Sequence, residues 1–287
     1  NVQEHPRGLR VASVIPKSPA QRAGLQPGDL IVAVNGRSIA GRPSAYSTSL
    51  IQGRPGTEVT LSLMRDGRRF ARTIRRAKVS VPVVSSRLRE SGGTKLAAVA
   101  LASFTSGAHG ELRAAIDRRL KQGAKGIVLD LRGNGGGLLD EAVLVGSIFI
   151  PEGTIVSTKG RSRPRRVFKA VGSSISTKVP VVVLVDRGSA SAAEIVAGAL
   201  QDRKRAEVVG TRTFGKGVFQ EIEELDNGGA LDITVGEYFL PSGRNIGGGG
   251  VKTGAGIQPD VRASDNLRTK RDEALDAALR RLAGKTR

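Results

Sequence analysis

The sequence predicts an α+β chain in two units. Three observations carry this. The length, 287 residues, suggests two domains. The first 78 residues are short apolar runs broken by turn signals such as Asn35-Gly36 and Asp66-Gly67, a pattern of strands and hairpins. Further along, the apolar runs at 127–131 and 179–185 read as buried strands, and they alternate with stretches of helical period. A hydrophobic fraction of 39% is enough for real cores. Aromatics are only 3% and Trp is missing, so those cores must be built from Val, Leu, Ile and Ala. The absence of Cys excludes disulfides, thiolate metal sites and a thiol nucleophile, and does not fix a compartment. No run is long and apolar enough to span a bilayer, and no signal peptide is read.

The first unit, 1–78, opens on an irregular N-terminal segment holding His5. VASVIPKSPAQRAGLQPGDLIVAVNGRSI then reads as strand, short helix at 19–23, turn at Pro27-Gly28-Asp29, strand, and the Asn35-Gly36 hairpin. A helical stretch at 44–51 precedes two strands, 58–64 and 68–74, joined by Asp66-Gly67. The run SPAxxAGLxPGDxIxxVNG, carried here from Ser18 to Gly36, resembles that of a PDZ domain. The resemblance implies a module that captures a peptide C-terminus as an added strand. Helix 44–51 would line the groove, with Leu50 as an apolar contact. The carboxylate-binding loop belongs just before or at residue 1, where NVQEHPRG stands, so a truncated N-terminus is expected. VSVPVVSSRLRE, 79–90, reads as an extended linker.

The second unit, 79–265, starts with a strand at 96–101. Helix 110–123 puts Leu112, Ala115, Ile116 and Leu120 on one face. Strand 127–131 runs into the turn Arg132-Gly-Asn-Gly-Gly-Gly137 and a helix at 138–149. Strand, glycine turn and helix invite a phosphate-binding reading. Neither the Gly-Lys-Ser/Thr ending nor the G-x-G-x-x-G spacing is there. Residues 157–177 read as a solvated basic loop around Arg161 to Arg166, without the aromatic interleaving of a nucleic-acid site. Strands follow at 218–222, 230–235 and 237–240, then PSGRNIGGGGVKTGAGIQPDV, whose four glycines read as a flexible turn. A closing segment, 266–287, carries a helix at 271–282 with Leu275, Ala278, Leu279 and Leu282 on one stripe, packing on the core.

Chemistry concentrates between Asp186 and Gln220. A serine hydroxyl is a weak nucleophile until a neighbour takes its proton. Histidine is the usual base, but the chain has only His5 and His109, the second in SGAHGE, which reads as a loop. A Ser-Lys pair is the alternative. It needs a neutral lysine, and apolar burial favours that form. Lys216, framed by Gly215 and Gly217 and near Val209, Phe214, Val218 and Phe219, fits. Gln220 lies four residues on, on the same face of an extended strand, and would orient the amine. Ser191 also has a bland reading, since Ser191-Ala-Ala-Glu194 is a capping box. The two readings are compatible, because a helix N-terminus favours developing negative charge. Ser189 is the rival nucleophile.

Three elements in order resemble the carboxyl-terminal processing peptidases, the Ser-Lys endopeptidases of family S41. They are S-A-S-A-A-E-I-V-A-G-A-L at Ser189 to Leu200, G-x-x-T-x-G-K-G at Gly210 to Gly217, and Gln220. Further matches are Asp130 to Gly137, Tyr238 to Ile246 and Gly256 to Asp260. The resemblance implies a PDZ domain joined to a crotonase-like (ClpP/crotonase type) α/β protease core. It implies Ser191 as nucleophile, Lys216 as base and Gln220 as third member. Its oxyanion hole would be the amide of Gly136 or Gly137 with that of Ala192, while Asp130 and Arg132 serve as scaffold. No metal and no cofactor are implied. Substrates would be unfolded or C-terminally exposed polypeptides. The setting would be extracytoplasmic, a bacterial periplasm or cell envelope, or a thylakoid lumen. A homo-oligomer is left open. The alternative function is a catalytically idle module that captures peptide termini. The net charge of +20 is spread over both units and mixed with acids. It is compatible with membrane proximity and marks no nucleic-acid surface.

Overall fold

The computed structural model describes residues 1–287 apart from 17, 80, 173, 226–228, 253–254, 267 and 287. Residue 17, just before the SPA run, and 253–254, in the glycine-rich stretch, therefore lie outside the described residues. Contacts divide the chain into Asn1–Val81 and Pro82–Arg287.

The first unit is an antiparallel sheet with two helices. Its strands are β1 (Val2–His5), β2 (Gly8–Val11), β3 (Leu30–Val34), β4 (Arg37–Ser38), β5 (Glu58–Arg65) and β6 (Arg68–Arg75). They run in the order β1-β2-β3-β5-β6, with β4 on β3. The Asn35-Gly36 and Asp66-Gly67 turns place both residues at positive φ, 48° and 77° in one and 48° and 79° in the other. That backbone matches the twist of the flanking strands, and Asn-Gly and Asp-Gly tolerate it best. Helix α1 (Pro19–Arg22) starts with Ser18 accepting the Gln21 N–H at 3.2 Å and proline in the first turn. Asp29 explains the PGD turn. It is buried, accepts the Gln26 N–H at 2.8 Å and takes a two-pronged bond from Arg65 at 2.6 and 2.8 Å. Burial pushes its carboxyl up, but Arg65 and the Gln26 amide outweigh that and hold it below its ordinary value. Helix α2 (Ser44–Ile51) falls where the sequence places it.

Two expectations for this part need correction. The N-terminal segment is a strand: β1 pairs with β2 from Val2↔Val11 to His5↔Gly8, so His5 sits in a hairpin. The extended run 79–90 is a linker only at its start. Strand β7 (Val84–Ser91) pairs along its whole length with β8 (Thr94–Leu101). Val84, Ser86 and Leu88 are half-buried while Ser85, Arg87 and Arg89 are exposed, so it is an edge strand whose Ser86, Arg87 and Arg89 hid the period-2 signal.

The second unit is built on a six-stranded sheet. β7 and β8 are joined by β9 (Ile127–Asp130), β12 (Val181–Val185), β13 (Glu207–Gly210) and β16 (Val261–Arg262), in the order β16-β13-β12-β9-β8-β7. From β16 to β8 the pairs are parallel. Parallel strands need covering on both faces, which is why 181–185 reads as five apolar residues in a row. Val181, Val183 and Val185 join the core that includes α3 (Ala108–Lys121), α4 (Leu139–Phe149) and α5 (Ala192–Asp202). Val182 and Leu184 face α6 (Glu273–Ala283) through Leu275, Ala278, Leu279 and Leu282. Each fully buried leucine there, such as Leu282, contributes about 1.5–3 kcal/mol. A second sheet runs β11 (Arg166–Lys169), β10 (Thr154–Lys159), β15 (Ala230–Phe239), β14 (Val218–Glu224).

Three further corrections concern this unit. The basic stretch 157–177 contains a hairpin, β10 on β11, rather than one solvated loop. The two strands expected at 230–240 are one continuous β15, since the ladder to β14 runs from Ala230 to Glu237. His109 lies inside α3 instead of a loop. Glu141, in the first turn of α4, accepts from the Gly107 and His109 amides at 2.7 and 3.0 Å and meets His109 Nδ1 at 2.9 Å. Burial raises the Glu141 carboxyl, but the His109 and Gly107 donors hold it below its ordinary value.

One carboxylate predicts acid behaviour. Arg281 on α6, aided by Lys285, holds Glu207 of β13 down to about 2, against the pull of burial. Its folded value is depressed, so its stabilisation is present above about 4.5 and is lost as pH falls through 2. The pair is largely solvated, which limits the effect to about 1 kcal/mol. Thermal unfolding followed from pH 5 to 2 should show a shallower decline for Glu207→Gln than for the unsubstituted chain. Parallel declines would refute this.

Candidate active site

Strands β9, β12 and β13 end at one edge of the sheet, and the turns after them carry the expected groups. In parallel sheets ligands gather at this carboxyl edge. The turn after β12 is short and tightly bonded. Asp186 Oδ1 accepts the Gly133 and Gly188 amides at 2.8 and 2.9 Å. Ser189 is fully buried, and its hydroxyl donates to the Leu131 carbonyl at 2.8 Å while accepting the Asp186 N–H at 3.0 Å. The rival serine is thus a structural tie.

Ser191 is different. It is half-buried at the N-cap of α5, with φ 54° and ψ −116°. A positive φ is uncommon for a residue with a Cβ and costs about 1–3 kcal/mol. A strained residue between strand and helix shares its backbone setting with a nucleophile elbow, and here its side chain also closes the capping box with Glu194. Surrounding bonds hold it there. Ala190 N–H donates to the Asn134 carbonyl at 2.9 Å, and Ser191 N–H donates to Glu194 Oε2 at 2.9 Å.

The glycine turn after β9 lies directly against it. A Cβ on Gly136 would stand 2.9 Å from Ser191 Cβ and 3.0 Å from the Ala192 nitrogen. The Gly136 N–H is already given to Asn134 Oδ1 at 2.9 Å. The Gly137 N–H has no acceptor among the described residues, and that of Ala192, first residue of α5, has no intrahelical one. Asn134 itself is fully buried, and its Nδ2 donates to the Leu101 carbonyl at 2.7 Å. Asp130 and Arg132 belong to a clamp on α6. Arg132 bonds Asp130 at 2.7 Å and Asp272, the N-cap of α6, at 2.8 Å. Burial lowers the Arg132 value, but the Asp130 and Asp272 partners raise it overall.

Lys216 lies between β13 and β14, half-buried, and its Nζ donates to Gln220 Oε1 at 3.1 Å. The pairing holds across a bulge between Phe219 and Gln220. No hydrogen bond joins Lys216 Nζ to Ser191 Oγ among the described residues. Phe219 packs on Tyr238 at 5.7 Å between centroids, and burial pushes the Tyr238 phenol up to about 12. The glycine insert after Ile246 forms a turn on Asn245, buried at Gly247 and exposed at Gly248 and Gly249. Asn245 Oδ1 accepts the Gly247 and Gly249 amides, and a Cβ on Gly217 would stand 2.2 Å from the Gly247 nitrogen. Backbone meets backbone there, and only glycine fits.

The sequence reading missed the hubs. Asn134 and Asp186 were passed over, and Glu194 was read only as a cap. Their common signal is a small polar or acidic residue inside a turn motif, which a pattern of apolar periods does not register.

In the first unit an apolar cavity of about 340 Å³ is lined by Val2, Val14, Ile51, Val59 and Ile74 among others, next to the edge strand β1. Leu50 packs partly buried beside the core of this unit. Among the described residues no group of three or more His, Asp or Glu could hold a metal, and no helix is long and apolar enough to cross a membrane.

A family model for peptidase family S41 matches residues 95–263, more than half of the chain. The chain belongs to peptidase family S41. A PDZ domain model matches residues 10–65 of this S41 chain. A probable CtpA-like serine protease of Staphylococcus haemolyticus is 36% identical over 263 residues, covering 91% of this chain and 51% of the relative. The carboxyl-terminal-processing protease of Synechocystis is 34% identical over 99% of this chain and 67% of its own. A solved photosystem II D1 C-terminal processing protease superposes with a TM-score of 0.58 at 33% identity, covering 98% of this chain and 76% of that one. The chain spans about half the length of the curated relatives it matches first. Mixed α/β architecture, PDZ unit and S41 core are those of C-terminal processing proteases.

Proposed function

We propose that the chain is a serine endopeptidase of the C-terminal processing type, with Ser191 as nucleophile, Lys216 as base and Gln220 orienting the amine. The observation that carries this is the strained Ser191, set at a helix start against a glycine turn that offers unused amides. In the reaction, neutral Lys216 takes the Ser191 proton and Oγ attacks the scissile carbonyl carbon. The Gly137 and Ala192 amides receive the oxyanion, and Gly136 packs against the Ser191 side chain with its own amide held by Asn134. Lys216 then protonates the leaving amine. Water, deprotonated by the same lysine, hydrolyses the acyl-enzyme.

The Lys216–Gln220 contact describes a resting arrangement, from which the amine must turn toward Ser191 as substrate arrives. Substrates are polypeptides with exposed C-termini, added as a strand at the β1 edge beside the apolar cavity, with Leu50 and Ile51 on the adjoining turn of α2. The division into a PDZ unit 1–78, a protease core 79–265 and a closing segment 266–287 is part of this reading. So is an extracytoplasmic setting in the bacterial envelope, in line with the bacterial processing proteases it resembles.

The test is to label the protein with a fluorophosphonate and map the adduct by peptide mass. The expected adduct is on Ser191, with cleavage of an unfolded polypeptide abolished in proportion to labelling. An adduct on Ser189, or labelling that leaves cleavage intact, would overturn the assignment.

A further inference from the structure

Glu194 lies at the centre of the site without facing the substrate. It is the third residue of α5, fully buried, and its two oxygens are both spoken for. Oε1 accepts the Thr213 hydroxyl at 2.5 Å and the Gly215 N–H at 2.8 Å. Oε2 accepts the Ser191 N–H at 2.9 Å and the Lys216 N–H at 2.9 Å. A capping box needs only the first-turn bond to the N-cap amide. The other three donors come from the turn between β13 and β14, more than 18 residues away in sequence.

We propose that Glu194 is the positioning residue of this site: one buried carboxylate fixes the backbones of Ser191 and Lys216 to each other. The inference rests on the Ser191/Lys216 reading. Its chemistry is that of acceptors. An ionised carboxylate has about four lone-pair sites and no donor, and it faces four donors here. Bonds from ionised acceptors are about twice as strong as neutral ones, so the group can hold a strained N-cap. Each bond reports on a different piece of the machinery: the elbow, the residue before the base, the base itself, and Thr213.

The surrounding residues fit this role. Thr213 is 2% exposed and also accepts the Ile257 N–H at 2.6 Å, which fixes its hydroxyl for donation. A Cβ on Gly256 would stand 2.3 Å from Thr213 Oγ1 and 2.4 Å from Glu194 Oε1. The GIQPD segment therefore seals the carboxylate with bare backbone. This is a reason for glycine at 256 that does not involve φ, and it ties a motif remote in sequence to the same carboxylate.

Substitutions separate positioning from mere support. In Glu194→Gln one oxygen becomes an NH₂ that must point at donors. The Thr213 hydroxyl can turn to accept it, so the Gln orients its NH₂ that way and leaves the Gly215 N–H opposed. Thr213→Val keeps the side-chain volume, removes the donor to Glu194 together with the acceptor of the Ile257 N–H, and touches neither Ser191 nor Lys216. The measurements are kcat and KM on an unfolded polypeptide, the fluorophosphonate labelling rate, and Tm. Glu194→Gln should lower kcat by about 100-fold, as for a small misplacement of reacting groups. Thr213→Val should lower it by about 10-fold through the lost Glu194 bond, while the unpaired Ile257 N–H shows in Tm. KM should be unchanged, and labelling should slow in step with kcat. If either folded variant turns over at the wild-type rate, the proposal fails. If activity falls only as Tm falls, or through KM, Glu194 is a structural cap and the proposal also fails. Should Glu194→Gln not fold, Thr213→Val decides alone. An unsubstituted protein that neither cleaves nor labels at Ser191 would instead sink the peptidase reading itself, and this proposal with it.

Discussion

Ser191→Ala and Lys216→Met are each expected to lower kcat on an unfolded polypeptide by about 10⁴-fold or more, with little change in Tm. Both side chains are half-buried; Ser191→Ala gives up the N-cap half of the α5 capping box, at about 1 kcal/mol, and Lys216→Met one bond to Gln220, so folding should survive. Members of a catalytic unit are grossly non-additive, and the double variant should be no slower than either single one. Residual activity then comes from the Gly137 and Ala192 amides and from binding. Met keeps the length of the lysine stem while removing the amine, so a loss in Lys216→Met reports chemistry and not packing. Gln220→Ala should cost far less, about 10-fold, because it removes one orienting bond and leaves the base. A Lys216→Met protein that still cleaves would require another base. His109 is a poor one, since its ring faces Glu141.

Much of this site could be read from the sequence, for a physical reason. Ser191 and Lys216 each lie inside a turn whose glycines or small residues stand at fixed offsets, and Gln220 stands four residues beyond Lys216 on β14; those offsets survive in a linear string. Strand β12 and helix α4 were legible as near-continuous apolar runs, and α6 because its apolar stripe is strong. Strand β7 was not, because half its face is arginine and serine and the other half only partly buried. The continuity of β15 was hidden by Gly236, which reads as a break but lies under the Phe219 ring and the Lys159 carbonyl, where a Cβ would collide. Glu194 shows the deeper limit. Its capping box is local and visible, whereas its bonds to Thr213, Gly215 and Lys216 depend on the loop after β13 returning to the start of α5. The sequence leaves both Gly136 and Gly137 open as oxyanion donor; the Asn134 side chain holds the Gly136 amide, which supports Gly137 in the proposed mechanism.

That choice makes Gly137→Ala the second large expected effect. Gly137 has φ 145°, and its Cβ would stand 2.4 Å from the Phe104 carbonyl oxygen and 2.8 Å from its carbon. The obstacle is backbone. It cannot retreat, because Phe104 N–H donates to the Gly136 carbonyl at 3.0 Å and the Leu138 N–H donates to the Phe104 carbonyl at 2.9 Å. The turn must therefore swing away and take the Gly137 amide with it. A loss of about 3 kcal/mol in stability is expected from strain and the broken pairing. A further loss of about 10²–10³-fold in kcat is expected from the missing oxyanion donor. Gly135→Ala is the matched control. It sits in the same turn, its φ is not positive, and nothing lies within 4 Å of the added methyl, so stability should change by less than about 0.5 kcal/mol. Measured where both proteins are folded, a Gly137→Ala enzyme with wild-type kcat would remove that amide from the reaction and leave Ala192 as the only donor of the proposed pair.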